Sequence, residues 1–220
     1  MREGVGLLLL GGEGPVRDLL EPILADVVCT VAADSGFDLA RRLNIVPDLL
    51  VGDLDSLQPS GELEDFPQER IRRYPRDKDE TDAELGMQVL WEMGIRRVIV
   101  AGGGGGRADH LLGLISLFER EKTPTLWYTS RELIQVVEGT LVITDCFKGQ
   151  IVSFFPLGGS VAGMSSSGLK WPLDGLEWKR GDMGVSNEFS EDRCTISVDQ
   201  GRLLMIRTLI EEDDVRKDQA

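Results

Sequence analysis

The 220-residue chain is poor in several chemically important residue types, and each shortage excludes a class of function. Because 24 Lys and Arg stand against 38 Asp and Glu, the formal net charge is −14, and a polyanion such as duplex DNA would be repelled. We therefore predict no nucleic-acid partner. The three cysteines are too far apart for a zinc site, and their odd number argues against a disulfide framework. With one histidine, His110, and no Gly-x-Ser-x-Gly motif, a hydrolase triad is poorly supported.

Long hydrophobic runs are also missing. The longest run near the N-terminus covers residues 7–10 and is followed by glycines, so it is too short for a signal-peptide core. No stretch has the roughly 20 apolar residues that a membrane-spanning helix needs. Together with cysteines that favour a reducing compartment, this pattern predicts a cytoplasmic protein without a membrane partner.

The chain does contain an alternation of strands and helices up to about residue 130. The strongest helix signal is the capping box at Thr81 and Glu84, which predicts a helix ending near Gly94. Alternating strands and helices predict a mostly parallel α/β sheet. The predicted strands cover residues 5–10, 27–33, 48–52, 71–74, 98–101 and 125–128; the other predicted helices cover 16–25, 37–43 and 109–121, and 53–70 is predicted to be a loop.

The pattern changes near residue 130. Short strands are predicted at residues 136–137, 141–143 and 151–155, and a hairpin at 195–209 with a turn at 199–201, whereas no strong helix follows residue 121. We therefore predict two domains, an α/β domain over residues 1–130 and an all-β sandwich over 131–220, whose tail from residue 211 is solvated.

Acidic residues follow three of the predicted strands. Asp53 and Asp55 lie in Gly52-Asp53-Leu54-Asp55-Ser56, at the end of a strand where open α/β sheets bind ligands. Their mutual repulsion, roughly 3 kcal/mol at about 5 Å and an effective dielectric constant near 20, has to be offset by water, a base or a divalent cation. A solvated turn would explain this motif alone, but Asp34 follows another strand, and Asp79 and Asp82 open the capped helix. Carboxylate oxygens at these strand ends predict a Mg²⁺ site.

A glycine loop at residues 102–106 separates a strand from a helix. Such a loop lets backbone N–H groups approach a phosphate, and the following Arg107 offers a planar fork for phosphate oxygens. The loop lacks the Gly-Lys-Ser/Thr of a Walker A motif, and a flexible surface loop is the alternative. The candidate nucleotide-binding residues are Gly105, Gly106, Arg107, Asp109 and His110.

Two motifs of the second domain combine small and polar residues. Trp171, in Gly168-Leu169-Lys170-Trp171-Pro172-Leu173, is either an aromatic platform or part of a sandwich core. Ser186 and Asn187 are either ligand contacts or a turn.

Taken in order, these motifs resemble the thiamine pyrophosphokinase family. The motifs are short, but their order and spacing over residues 33–188 are specific. The matching segments are Ala33-Asp34-Ser35-Gly36, residues 47–56, Asp77-Lys78-Asp79-Glu80-Thr81-Asp82, Gly105-Gly106-Arg107-Ala108-Asp109-His110, residues 168–173 and Ser186-Asn187-Glu188.

The resemblance implies a transfer of pyrophosphate from ATP to the hydroxyethyl oxygen of thiamine, with AMP leaving. It implies a homodimer whose sites lie between the first domain of one subunit and the second domain of the other. The implied roles are catalysis and Mg²⁺ binding by Asp53, Asp55 and Asp82, nucleotide binding by Arg107 and Asp109, and substrate binding by Asp34, Asp79, Trp171, Ser186 and Asn187.

Two alternatives stay open at this point. A pterin pyrophosphokinase of similar fold would use the same acidic residues with a different β-domain pocket. A non-catalytic sensor would bind a nucleotide or thiamine, although binding alone would not need the full set of acids.

Overall fold

The computed structural model describes residues 4–55 and 61–209 and divides the chain into two compact units. The first unit comprises residues up to 117 together with 122–130. The second comprises residues 118–121 and those from 131 onward. Ser56 and the tail from residue 211, both named in the sequence-based predictions, lie outside the described residues.

The first unit is a parallel sheet with helices between its strands, as predicted. Its sheet has the order β6-β5-β1-β2-β3-β4, and every pairing within this order is parallel. The strands are β1 (Val5–Leu10), β2 (Val27–Ala33), β3 (Leu49–Gly52), β4 (Ile71–Arg73), β5 (Arg97–Ala101) and β6 (Leu126–Tyr128); the helices are α1 (Arg17–Leu24), α2 (Gly36–Arg42), α3 (Gly61–Glu64), α4 (Asp82–Glu92) and α5 (Ala108–Leu117).

The strand order places a topological switch point between β1 and β5. From β1 the chain builds the sheet outward through β2, β3 and β4, and then returns to the other side of β1 as β5. All six residues of β1 are buried, as expected of a central parallel strand covered on both faces. In open α/β sheets, ligands bind at the carboxyl ends of the strands near such a switch point. The loops after β1 and β5 therefore occupy the expected ligand-binding edge.

The predicted helices are present, with two departures, at the end of α5 and in the predicted loop over residues 53–70. α4 has the complete predicted capping box, in which the Glu84 N–H donates to Thr81 Oγ1 at 3.3 Å and the Thr81 N–H donates to Glu84 Oε2 at 2.8 Å. α5 ends at Leu117, before the predicted end at residue 121. α1 is short and includes Pro22. The stretch predicted as a loop at residues 53–70 contains α3 and a 3₁₀ turn (Gln68–Arg70).

The second unit is antiparallel, and two long strands dominate it. Its strands are β7 (Glu132–Ile143), β8 (Ile151–Pro156), β9 (Ala162–Ser167), β10 (Gly184–Glu188) and β11 (Cys194–Thr208). The predicted hairpin over residues 195–209 is wrong, because both of its arms belong to the single strand β11. The two arms pair with successive parts of β7 and not with each other. The predicted break near Gly139 is also wrong, since β7 is continuous through it.

A shift of register in β11 explains the first error. Between the pairs Val198↔Gly139 and Leu203↔Val137 the register shifts, so the predicted turn at residues 199–201 is extra length in β11. The first half of β11 also pairs with β9, and the second half pairs with β8, which in turn pairs with β10. Both halves contribute to one core, which contains Ile196, Met205 and Phe154. This layout agrees with the predicted sandwich.

The three cysteines are free and buried in the described structure. Burial raises the pKa of each thiol, in the case of Cys194 to about 12. Such thiols are inert nucleophiles. Among the residues that the structure describes, none of the helices has the length and apolar character needed to cross a membrane.

Candidate functional site

Acidic motifs lie at the carboxyl ends of two neighbouring strands, β2 and β3. The Asp34 N–H donates to the Val51 carbonyl at 2.8 Å, which ties the residue after β2 to the end of β3. A side chain on Gly52 would contact the Cβ of Asp34 at 3.3 Å, so the lack of a side chain there leaves room for Asp34. The sheet therefore brings the Asp34 motif and the Asp53 motif side by side, as their positions after adjacent strands predict.

Backbone strain is concentrated at the predicted site motifs. Asp34, Leu54 and Ser186 have φ angles of 47°, 64° and 60°, in the left-handed region that residues with side chains rarely adopt. The fourth such residue that the structure describes, Asn44, lies just after α2, where asparagine commonly ends a helix. Strained backbone of this kind is typical of active sites and ligand-binding turns.

Asp53 and Asp55 form a local turn next to a cation. The Asp55 N–H donates to Asp53 Oδ1 at 3.1 Å, and this bond is the largest cause of a lowered pKa for Asp53. Asp55 lies 3.5 Å from the guanidinium group of Arg76, which is 82% exposed. The sequence leaves water, a base or a divalent cation as ways to offset the repulsion between the two carboxylates. The structure contains a base, Arg76, which comes from the loop after β4.

Asp82 is held by a second cation from the same loop. Lys78 Nζ donates to Asp82 Oδ1 at 2.8 Å from four residues earlier in the chain, and the lysine side chain is only 12% exposed. Asp82 begins α4 directly after the capping residue Thr81. Asp79 lies in the exposed turn before the helix.

The three proposed metal ligands fit Mg²⁺ in their chemistry, but they are not assembled around one point. Asp53, Asp55 and Asp82 offer only carboxylate oxygens, the hard donors that Mg²⁺ prefers. Within residues 4–55 and 61–209, no three His, Cys, Asp or Glu side chains are grouped closely enough to hold a metal ion. Instead, Arg76 and Lys78 neutralise two of the three carboxylates.

The glycine loop lies at the switch point and is fixed to the loop after β1. Glu13 and Gly104 exchange two backbone hydrogen bonds of 2.8 and 3.0 Å. The buried Trp127 of β6 donates from Nε1 to the Gly102 carbonyl at 2.7 Å. Gly105 and Gly106 have φ angles of 67° and 74°, and a side chain on Gly106 would meet nothing within 4 Å. The anchored loop therefore presents open backbone at Gly106, whereas the Glu13 side chain lies beside Gly105.

Arg107 and Asp109 form a two-bond pair beside this loop. Arg107 donates from Nε to Asp109 Oδ1 at 3.1 Å and from a terminal nitrogen to Asp109 Oδ2 at 2.5 Å. The hydrogen bonds from Arg107 are the largest cause of a lowered pKa for Asp109, and the pair raises the pKa of Arg107. Both side chains are exposed, as is His110. Asp109 occupies the edge of the guanidinium group formed by Nε and one terminal nitrogen, which leaves the other terminal nitrogen facing away from Asp109 at the start of α5.

In the second unit, Trp171 is exposed and is not a core residue. Its relative exposure is 52%, whereas Trp127 of the first unit is almost fully buried. The buried Asn187 holds the backbone of Trp171 from both sides, because its Oδ1 accepts from the Trp171 N–H at 3.1 Å and its Nδ2 donates to the Trp171 carbonyl at 2.7 Å. Ser186, next to Asn187, is exposed, and its N–H donates to Ser153 Oγ at 3.1 Å.

Sequence reasoning missed four residues that contact the predicted site residues. Lys78 lies before the capping residue of α4, so the spacing rule for pairs on a helix does not predict its contact with Asp82. No local sequence signal indicates the contact of Arg76, because its partner Asp55 lies on a different loop. Glu13 reaches the glycine loop only through the pairing of β1 with β5, and Lys170 meets the ring of its neighbour Trp171 through a side-chain conformation that sequence does not reveal.

The first unit, with a glycine loop and acidic motifs at the ends of its parallel strands, belongs to the nucleotide-binding class of α/β folds. Two family models match the chain: the thiamin pyrophosphokinase catalytic domain at residues 20–127 and the thiamin pyrophosphokinase vitamin B1 binding domain at residues 138–203. The chain belongs to the thiamin pyrophosphokinase family. The predicted acidic and nucleotide-loop residues fall in the first match, and Trp171, Ser186 and Asn187 fall in the second.

Individual relatives agree with this assignment. The chain is similar to a thiamine pyrophosphokinase of Bacillus subtilis, with 28% identity over 81% of this chain and 86% of the relative. The crystal structure of a thiamin pyrophosphokinase from Geobacillus thermodenitrificans is 28% identical and covers 94% of this chain and 99% of its own, with a TM-score of 0.74. That of the Bacillus subtilis enzyme superposes with a TM-score of 0.81 over 94% of this chain and 100% of its own, and at 23% identity it supports the fold alone.

Proposed function

We propose that the protein transfers a diphosphate group from ATP to the hydroxyethyl oxygen of thiamine, giving thiamine diphosphate and AMP. The observation that carries this proposal is the pair of family matches, one to each unit, which together contain every predicted site residue. In the proposed reaction the thiamine oxygen attacks the β-phosphorus, and negative charge develops on phosphate oxygens. Catalysis of such a transfer consists mainly of positioning and of electrostatic stabilisation.

The acidic motifs are the proposed catalytic and metal-binding group. Asp53, Asp55 and Asp82 would hold Mg²⁺, which supplies positive charge to the β- and γ-phosphate oxygens when it is bound. Support comes from their donor chemistry and from the strained backbone at Leu54. Because the three carboxylates are not grouped around one point, Mg²⁺ binding requires them to move together.

The glycine loop and the start of α5 are the proposed ATP-binding elements. Gly105 and Gly106 would offer backbone N–H groups to phosphate oxygens, and Arg107 would add its planar fork. Asp109 holds the guanidinium group through Nε and one terminal nitrogen, so phosphate oxygens would approach from the side of the other terminal nitrogen. His110 follows within the first turn of α5, where its exposed side chain is accessible to a nucleotide.

Thiamine is an aromatic cation, and the proposed thiamine-binding residues suit both properties. The exposed indole of Trp171 provides a face for a cation, and Asn187 fixes its backbone. Ser186, the residue before Asn187, would contribute its exposed hydroxyl. Asp34 and Asp79 would be the acids on the substrate side of the reaction.

We also propose a cytoplasmic homodimer in which each site combines the first unit of one subunit with Trp171 of the partner subunit. The resemblance to the family motivates this arrangement, because the acidic motifs and the aromatic platform lie in different units. Nucleic acid and membranes are not among the proposed partners.

The decisive experiment is a mass-spectrometric assay for thiamine diphosphate and AMP after incubation of the protein with ATP, Mg²⁺ and thiamine. We expect both products in equal amounts. A parallel reaction with hydroxymethyl-dihydropterin tests the alternative pterin substrate, which the family matches do not favour. Thiamine binding without AMP release would instead indicate a sensor and would refute the proposal.

A further inference from the structure

An exposed tryptophan can serve as a platform only if its ring is held in place. The backbone of Trp171 is fixed by Asn187, but the core does not enclose its ring. Free rotation about the two side-chain torsions would present the indole in several orientations, and a ligand would have to select one of them. The contacts that orient the ring are therefore part of the binding site.

Lys170 makes such a contact with the ring. Its Nζ lies 4.5 Å from the centroid of the Trp171 ring, within the range of a cation–π interaction. The same Nζ donates to Glu188 Oε1 at 2.8 Å. The Lys170 N–H also donates to the Glu188 carbonyl at 2.8 Å, so backbone pairing keeps the two residues opposite each other. The ammonium group is thus fixed by an anion on one side and covers one face of the indole on the other.

We propose that Lys170, anchored by Glu188, is the positioning residue that orients the Trp171 ring and leaves one of its faces open to a cationic aromatic substrate. The proposal rests on the proposed function, which supplies thiamine as that substrate. A cation that covers one face directs a second cation to the opposite face, because like charges repel and the occupied face has no room. Glu188 offsets part of the repulsion between the two cations, so that the open face stays favourable.

The proposal is tested with three variants. Lys170→Met keeps most of the length of the side chain and removes its charge, Lys170→Arg keeps the charge, and Glu188→Gln removes the negative charge of the anchor. We expect the Michaelis constant for thiamine to rise about 2- to 5-fold in Lys170→Met, the equivalent of one exposed cation–π contact. The rise should be smaller in Glu188→Gln, and Lys170→Arg should stay close to the unchanged protein. The turnover number and the Michaelis constant for ATP should not change in any of the three.

A matched control is Lys148→Met, which removes an exposed lysine of the same unit. It should leave all kinetic constants unchanged. An unchanged or lowered Michaelis constant for thiamine in Lys170→Met would overturn the proposal, and a lowered one would mean that Lys170 occupies the place of the substrate. Failure of Lys170→Arg to restore the constant would also overturn it.

A readout without substrate separates this proposal from the proposed function. The Trp171 indole N–H resonance in NMR spectra is assigned with Trp171→Phe. In Lys170→Met this resonance should shift, and its relaxation should show a more mobile ring. Neither change is expected in Lys148→Met. An unchanged resonance would show that Lys170 does not hold the ring, whatever the enzyme activity. If the resonance shifts while the unchanged protein forms no thiamine diphosphate, the proposed function fails and the orienting role of Lys170 stands.

Discussion

Replacing Asp55 with asparagine removes one carboxylate from the proposed metal-binding group with little disturbance of the fold. The side chain is 51% exposed and its ion pair with Arg76 spans 3.5 Å, so the pair contributes about 0–1 kcal/mol to stability. The hydrogen bond to Asp53 comes from the backbone N–H of residue 55 and persists in the variant. We therefore expect the free energy of unfolding to change by less than about 1 kcal/mol.

The effect of Asp55→Asn on catalysis should be much larger. An amide oxygen lacks the charge that holds Mg²⁺ against water, and loss of the ion removes positive charge from the phosphate oxygens. Groups that stabilise developing charge typically contribute about 3–4 kcal/mol each, so turnover should fall about 100-fold or more. The loss should appear in the turnover number and in the dependence on Mg²⁺ concentration.

Two controls make the result specific to the site. Asp38→Asn changes an aspartate that is 44% exposed and paired with Arg41 at 3.6 Å, and it should leave turnover unchanged. Arg76→Gln removes the partner of Asp55 without touching the carboxylate, and it should cost far less activity than Asp55→Asn. Urea unfolding and the thiamine diphosphate assay are measured on all three variants. Near-normal turnover by folded Asp55→Asn, or an equal loss in Arg76→Gln, would refute the metal assignment.

Three further predictions follow from the glycine loop and from Trp171. Arg107→Lys should raise the Michaelis constant for ATP by about 10-fold and leave that for thiamine unchanged, because an ammonium group lacks the planar fork. An ATP Michaelis constant equal to that of the unchanged protein would exclude a contact between Arg107 and the phosphates. Because hydrogen bonds from Arg107 lower the pKa of Asp109, this carboxylate should stay ionised at pH values below its ordinary pKa and take up a proton only as the pH falls through the lowered pKa. In Arg107→Gln the pKa of Asp109 measured by NMR should rise toward its ordinary value of 3.8. An unchanged pKa would contradict the pairing. Trp171→Ala should raise the Michaelis constant for thiamine by about 2- to 30-fold at little cost in stability. Because this variant keeps its turnover at high thiamine concentration, its subunit exchange with Asp55→Asn is assayed well below the raised Michaelis constant. There a shared site predicts more activity in the mixture than the two variants give separately, and proven exchange without that gain would place both residues in the site of one subunit.

The elements that could be predicted from sequence are those whose signals are local. The capping box of α4 lies within four residues, and both of its hydrogen bonds form as the motif predicts. The acidic motifs after β2 and β3 could likewise be placed at one edge, because parallel strands share the same carboxyl end. Local pattern and position within a parallel sheet were sufficient in both cases.

The parts that could not be predicted depend on pairing between distant segments. Residues 199–201 have the composition of a hairpin turn, yet they form a bulge because both flanking segments pair with β7, some 60 residues earlier in the chain. Tertiary pairing overrides local turn chemistry here. In the same way, the small polar pair Ser186 and Asn187 suggests ligand contacts or a turn. The structure shows that the buried amide of Asn187 binds the backbone of Trp171.

The cations near the acidic motifs also decide which substitution tests the metal site most cleanly. Arg76 is almost fully solvated, so water can replace Asp55 as its partner at little cost. Lys78 is only 12% exposed, and removal of the Asp82 charge would leave its ammonium group largely out of water without an ion-pair partner in the described contacts. Because Asp82→Asn would therefore combine a loss of stability with any loss of metal binding, its effect on activity could not be assigned to one cause. Asp55, whose partner is exposed and whose backbone hydrogen bond does not depend on the carboxylate, separates the two effects.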